Sequence, residues 1–172
     1  PVFMALPLQI DPRKLALQGI SLEGTVNVED LPRLASAVTS ICGPLWASVQ
    51  FNLDESKAKV ATGSIKVPVE TVCQRCLDPL TIELQAEFAV QVIWSEDHIN
   101  RVATNYEPWL VTDKLADFSE LLEDEILLAL PLVNYHAKGE CTGDTFMQED
   151  EGAAGDEVVT DNPFNVLLQL KK

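Results

Sequence analysis

Long apolar runs are missing from this chain. Nowhere do about 18 apolar residues follow one another, so no spanning helix and no membrane partner are expected. Basic residues are scarce, with 12 Lys and Arg against 27 Asp and Glu and a net charge of −15. Affinity for nucleic acid comes mostly from cations that neutralise phosphates, so this shortage excludes a strong grip on DNA or bare RNA by the chain as a whole. Histidine occurs only twice, as His98 and His136, and no glycine-rich phosphate loop of the P-loop or dinucleotide type is present. A nucleophile, base and orienting group are recognised by geometry, and no such set can be assembled here on spacing. Four cysteines are too few for a dense disulfide framework, which reads as a cytoplasmic protein with reduced thiols. The segment Pro1 to Pro7 has no positive leader and too short an apolar run for a secretory signal.

What is present is enough for one core: 172 residues, 47% of them hydrophobic. The expected organisation is a single domain over residues 1–146, followed by an acidic linker and a short C-terminal helix over 147–172. The charge is uneven. Glu107 to Asp161 holds 15 acids and two bases, Lys114 and Lys138, a net of −13, whereas residues 1–106 carry 12 acids and 8 bases, a net of −4. A basic protein partner is electrostatically easier for such a chain than a nucleic acid. The plain alternative is that the acid only keeps the protein soluble.

The patterning predicts an α+β fold. Leu6 to Ile10 alternates like a short edge strand. Asp11-Pro12 has the form of a helix start that runs to Gly19. Ile20 to Val26 reads as a strand, and Leu31, Leu34, Ala35 and Val38 recur at helical spacing in a helix expected to end near Gly43-Pro44, with Cys42 packed at its end. From Leu45 the period changes to two: Leu45 to Leu53, Lys57 to Val72 with a bulge or bend at Gly63, and Leu80 to Trp94 read as successive antiparallel strands, in a sheet whose curvature could approach a barrel. Trp109 to Val111 adds a short strand. Asp117 caps a helix carrying Phe118, Leu121, Leu122 and Ile126 that Pro131 ends, with Glu120, Glu123, Asp124 and Glu125 forming a solvated acidic back. His98 reads as solvated in a polar loop. Gln148 to Asp161 has the composition of a flexible linker, and Asn162 to Leu170 that of a short helix with an apolar face.

The chemistry concentrates at Val72-Cys73-Gln74-Arg75-Cys76-Leu77-Asp78-Pro79, at the expected tip of a hairpin. Two thiols separated by two residues on a turn can point at one spot, to hold a metal, to form a redox pair, or only to shape the turn. Some 60 residues later, His136 and Cys141 would complete Cys73 and Cys76 to a Cys3His set, the ligand types and number of a structural zinc site, if the helix after Asp117 brings the chain back over the hairpin. Reduced, uncoordinated thiols are the simpler reading, and the redox reading lacks the βαβ setting of a thioredoxin-like motif.

Glu70 to Pro79 with its two cysteines, Tyr106-Glu107-Pro108, the segment Glu123 to Pro131, His136 with Cys141, and the terminal Asn162-Pro163-Phe164 resemble, in order along nearly the whole chain, the YceD family of large ribosomal RNA subunit accumulation proteins. The resemblance implies a non-enzymatic cytoplasmic factor for synthesis, processing or accumulation of the large-subunit (23S) ribosomal RNA. It implies contacts with a basic ribosomal protein or a pre-50S particle, with ribosomal RNA reached indirectly. Such contacts would use a limited basic face, for which Lys57, Lys59, Lys66 and Arg75 are the candidates, with Phe164 as a second contact. A direct RNA-binding module and a zinc-stabilised interaction module of unrelated role are the alternatives.

Overall fold

A computed structural model describes residues 4–143 of the chain. In chain order it contains strand β1 (Gln9–Ile10), helix α1 (Pro12–Gln18), strand β2 (Ser21–Val26), a 3-10 turn (Val28–Asp30), helix α2 (Pro32–Ala37), strands β3 (Ser40–Ile41), β4 (Leu45–Leu53), β5 (Lys59–Val72) and β6 (Pro79–Ile93), a second 3-10 segment (Glu96–Arg101), strands β7 (Glu107–Leu110) and β8 (Ala116–Asp117), and helix α3 (Phe118–Leu128). The fold is α+β.

A six-stranded sheet orders its strands β2-β4-β5-β6-β7, with β3 also pairing with β5, and β1 and β8 form a separate two-stranded ribbon. The long β5–β6 hairpin, in register from Val60 opposite Gln91 to Val72 opposite Pro79, is its backbone. Leu45, Ala47, Val49 and Phe51 of β4 and Ile65, Val67 and Val69 of β5 point to one side and are buried there, as period-two patterning demands. Helices α1 and α3 cover that side, and Phe118 of α3 meets Phe51 with ring centroids 6.0 Å apart. The sheet is open, not closed into a barrel: β2 and β7 are its two ends.

Local signals explain most boundaries. Asp11 accepts a hydrogen bond from Lys14 N, Pro12 takes the first helical position, and Gly19 stops α1 in the left-handed region at φ 65°. Asp117 caps α3 by accepting from Glu120 N.

Five expectations need correction. The helix expected to run to Gly43-Pro44 ends at Ala37, because Thr39 N, Ser40 and Ile41 turn to pair with β5 instead. Cys42 is consequently exposed, not packed. Gly63 makes no bulge; its pairing with Val49 and Phe88 is unbroken. Its lack of a side chain serves close packing, since a Cβ there would lie 2.8 Å from Ser48 O and 2.9 Å from Phe88 Cζ. The strand at Trp109 pairs parallel to β6, so the sheet is mixed and not purely antiparallel, the chain crossing back through the Glu96–Arg101 segment. Finally, the acids of α3 are not all solvated. Glu123 is 3% exposed and accepts from Arg33 N (2.8 Å), Leu34 N (2.9 Å) and Arg33 Nε (3.0 Å). Helix α2 begins after Leu31, which has no capping side chain, and the Glu123 carboxylate supplies that cap from a different helix.

A candidate metal centre at the hairpin tip

The β5–β6 hairpin ends in a turn that the sequence itself forces. Pairing stops at Val72 and Pro79, Cys73 N donates to Asp78 O, Leu77 N donates back to Cys73 O at 2.9 Å, and Leu77 takes a left-handed φ of 65°. This winds Cys73 and Cys76 round so that both thiols face the same side. After α3 the chain returns as a strap, residues 132–143, across the tip. The strap is fastened by Gln74 N donating to Asn134 O (2.8 Å), Thr142 Oγ1 donating to Asp78 Oδ2 (2.9 Å), and Arg75 lying over the Tyr135 ring at 5.1 Å.

The strap delivers His136 and Cys141 to the knuckle. Cys73 Sγ lies 3.8 Å from Cys141 Sγ, Cys76 Sγ lies 3.3 Å from His136 Nδ1, and all four ligand atoms fall within 4.8 Å of one another. A tetrahedral zinc with Zn–S near 2.3 Å and Zn–N near 2.0 Å needs ligand edges of about 3.4–3.8 Å; the Cys73–Cys141 and Cys76–His136 separations are close to that, and the wider ones, up to 4.8 Å, would have to draw in around an ion. The His136 ring is also oriented from behind: its Nε2 lies 3.1 Å from Pro79 O, and by donating to that carbonyl it leaves the Nδ1 lone pair facing Cys76. A sulfur separation of 3.8 Å is far from the 2.05 Å of a disulfide, and all four cysteines are free.

The electrostatics divide the four groups, with Cys73 poised to lose its proton and His136 and Cys141 to keep theirs. Burial pushes the Cys73 thiol up, but the backbone amides of Cys76, His136 and Arg75 together with the Cys76 side chain outweigh it and bring Cys73 down to about 5. Hydrogen bonding to Cys73, with Cys76 and Pro79 O adding to it against burial, raises His136. Burial raises the Cys141 thiol, and its two neighbouring sulfurs raise it further against the Gly143 amide. Thiolates crowded this closely would repel one another, a repulsion that a cation among them would relieve.

The candidate basic residues are dispersed. Lys57 sits in the turn before β5 and Lys59 starts that strand, about 43 Å along it from the knuckle that carries Arg75. Lys66 lies midway, on the solvent side of the sheet, with its ammonium 5.2 Å from the Trp46 ring centroid. Phe164 lies outside the described residues. Lys57 and Lys59 instead gather with Trp94, His98 and Arg101, partners no pattern in the sequence linked to them, because they come from a turn, a strand end and a 3-10 segment that only the fold brings together. His98 is half-buried, edge-on to Trp94 at 5.7 Å, and not simply solvated.

Fold and site together define a small α+β protein built on one long hairpin whose tip is a Cys3His knuckle. Sequence comparison agrees on what kind it is. The family model described as "Large ribosomal RNA subunit accumulation protein YceD" matches residues 61–171, and a protein of Haemophilus influenzae named "Large ribosomal RNA subunit accumulation protein YceD" is 32% identical over 97% of both chains. The chain belongs to the YceD family. No solved structure matches it. Among the described residues no helix is long and apolar enough to cross a membrane.

Proposed function

We propose that this chain is a non-enzymatic cytoplasmic factor that supports synthesis, processing or accumulation of the large-subunit ribosomal RNA during ribosome assembly, and that it works by contact. Membership of a family named for large ribosomal RNA subunit accumulation carries this reading. The direct partner we assign is a basic ribosomal protein or a pre-50S particle. The net charge of −15 supports it, and so does a groove of about 380 Å³ between β7 and α3 in which Glu107, Asp124 and Glu125 rim an apolar floor of Trp109, Leu121 and Leu128.

We further propose that Cys73, Cys76, His136 and Cys141 hold a zinc ion whose role is structural. With four protein ligands no position is left open for a substrate or a water, as catalysis at zinc requires. When bound, the ion would neutralise the crowded thiolates and lock the strap to the hairpin tip. Purified protein should carry one zinc per chain by elemental analysis, and Cys73→Ser should carry far less.

The functional test is the ratio of large to small ribosomal RNA in cells lacking this chain, restored with the wild type or with Cys73→Ser. A selective fall in large RNA that only the wild type repairs supports both the function and the need for the knuckle. An unmoved ratio on loss of the chain would overturn the reading.

A further inference from the structure

We propose that the recess beside Trp94, at the end of the sheet opposite the knuckle, binds a single-stranded RNA segment. The proposal rests on the reading above that the chain supports large ribosomal RNA during assembly, and adds a direct RNA contact to the particle contacts assigned there. The recess has a volume of about 200 Å³, with Ala58, Val92 and Ile93 as an apolar floor and Lys57, Lys59, His98 and Arg101 around it. Trp94 stands at its side, 44% exposed, with the Arg13 guanidinium 5.0 Å and the Lys59 ammonium 5.1 Å from its ring centroid.

Four of the ten Lys and Arg between residues 4 and 143 therefore meet at one place in a chain of net charge −15. Among the described residues no carboxylate lines the recess and none of the four cations is in an ion pair. Arg13 Nε is buried without a hydrogen-bond partner. Cations outside any ion pair among the described residues, where acids outnumber bases, mark a place kept positive. Backbone geometry points the same way: Lys57 holds φ at 64°, a left-handed conformation that glycine adopts freely and lysine does not, yet a lysine is there.

A contrasting site on the same molecule sharpens the chemistry. Lys66 lies over Trp46 on the open side of the sheet in nearly the same geometry, but that recess includes Glu87, so its charge is largely cancelled. The Trp94 recess combines a positive rim with an exposed aromatic ring and an apolar floor, the pairing of phosphate and base recognition used for single strands. The Lys59–ring contact is a weak surface interaction, and Lys59 can leave the ring for a phosphate as a base takes its place.

The test is binding of a fluorescein-labelled 12-nucleotide uridine strand to the full chain, read by fluorescence anisotropy from about 50 to 200 mM KCl. We expect weak, salt-sensitive binding, with a log–log slope of about −2 to −3 for three or four phosphates. Trp94→Ala should lower affinity at least about fivefold through lost stacking. Lys59→Glu with Arg101→Glu should lower it at least about tenfold, and Lys66→Glu should change it by less than about twofold, since its charge is screened at that range. Unchanged circular dichroism of the variants would confirm that they fold. Absence of binding at 50 mM KCl, equal loss with Lys66→Glu, equal affinity for a 12-base-pair duplex, or equal binding of a peptide of residues 148–161 would each overturn the proposal, the last in favour of an acidic peptide. Failure here leaves the ribosomal RNA ratio in cells untouched as a measure of the function itself, so the two readings fail separately.

Discussion

At the scale of single residues, Glu123 shows how one side chain can fix the relation of two helices. It is buried, accepts two backbone N–H groups at the start of α2, and pairs with the Arg33 guanidinium, which bonds with Asp124 and Glu123 hold above its usual value. Removing the carboxylate would leave two orphan amides inside the protein, while Arg33, half exposed, would keep its bond to Asp124. Glu123→Ala should therefore cost about 2–4 kcal/mol, lowering the melting temperature by roughly 5–15 °C, while Glu123→Gln, which keeps an acceptor, should cost clearly less. Thermal unfolding of the two variants checks this, and equal losses would mean that charge alone matters at this site. Gly63→Ala tests a different cost. Its Cβ meets the Ser48 carbonyl of one neighbouring strand and the Phe88 ring of the other, so the sheet would have to spread, at about 1–3 kcal/mol by denaturant unfolding. A neutral result would show that the strands have room to part.

At the scale of elements, the hairpin and its strap would behave as a lock that the proposed zinc closes. The strap has little regular structure and is mostly exposed, so without the four ligands held together it should open before the sheet does. Chelation should make trypsin cut at the exposed Lys138 at least about tenfold faster while leaving the β5–β6 hairpin uncut, and added zinc should restore protection. Equal cleavage with and without chelator would deny the metal any part in holding the strap. How much of this was legible follows from how local each signal is. The Cys-x2-Cys turn between two alternating strands is local, and so are the caps at Asp11 and Asp117, and all were readable from the chain. That His136 and Cys141 reach the turn depends on the length and direction of α3, which the residues permit but do not dictate. The parallel pairing of β7 was not readable, because four residues carry no directional signal. Glu123 was readable in principle: Ser119, Leu122, Glu123 and Ile126 fall on one helical stripe, and all are buried, but its place within an acidic run hid it. The Trp94 recess draws on four separated segments, and no spacing rule joins them.

At the scale of the whole molecule, charge is sorted by place. The β7–α3 groove is acidic around an apolar floor, and the Trp94 recess is basic. Sorting has a cost in the free protein that shows at Glu125. Partial burial raises its carboxyl above the usual range, and the like charges of Glu107 and Asp124 raise it further. A carboxyl whose folded value lies above its unfolded one binds its proton more tightly when folded. Between those two values the folded state holds more protons than the unfolded, so stability falls as pH rises, and the penalty is complete once pH passes the folded value. Relief comes on acidification below the unfolded value, or from a cation that settles among the three carboxylates. Glu125→Gln removes the penalty without altering shape. It should raise the melting temperature at pH 7 by about 1 °C, a small gain because the group is only partly buried and water still screens it, and the advantage should vanish on acidification below the unfolded value. The same substitution should weaken binding of a lysine- and arginine-rich ribosomal peptide at pH 7. A variant that is more stable yet binds such a peptide as well as the wild type would separate the groove from the partner, leaving the acidic rim as a feature of solubility alone.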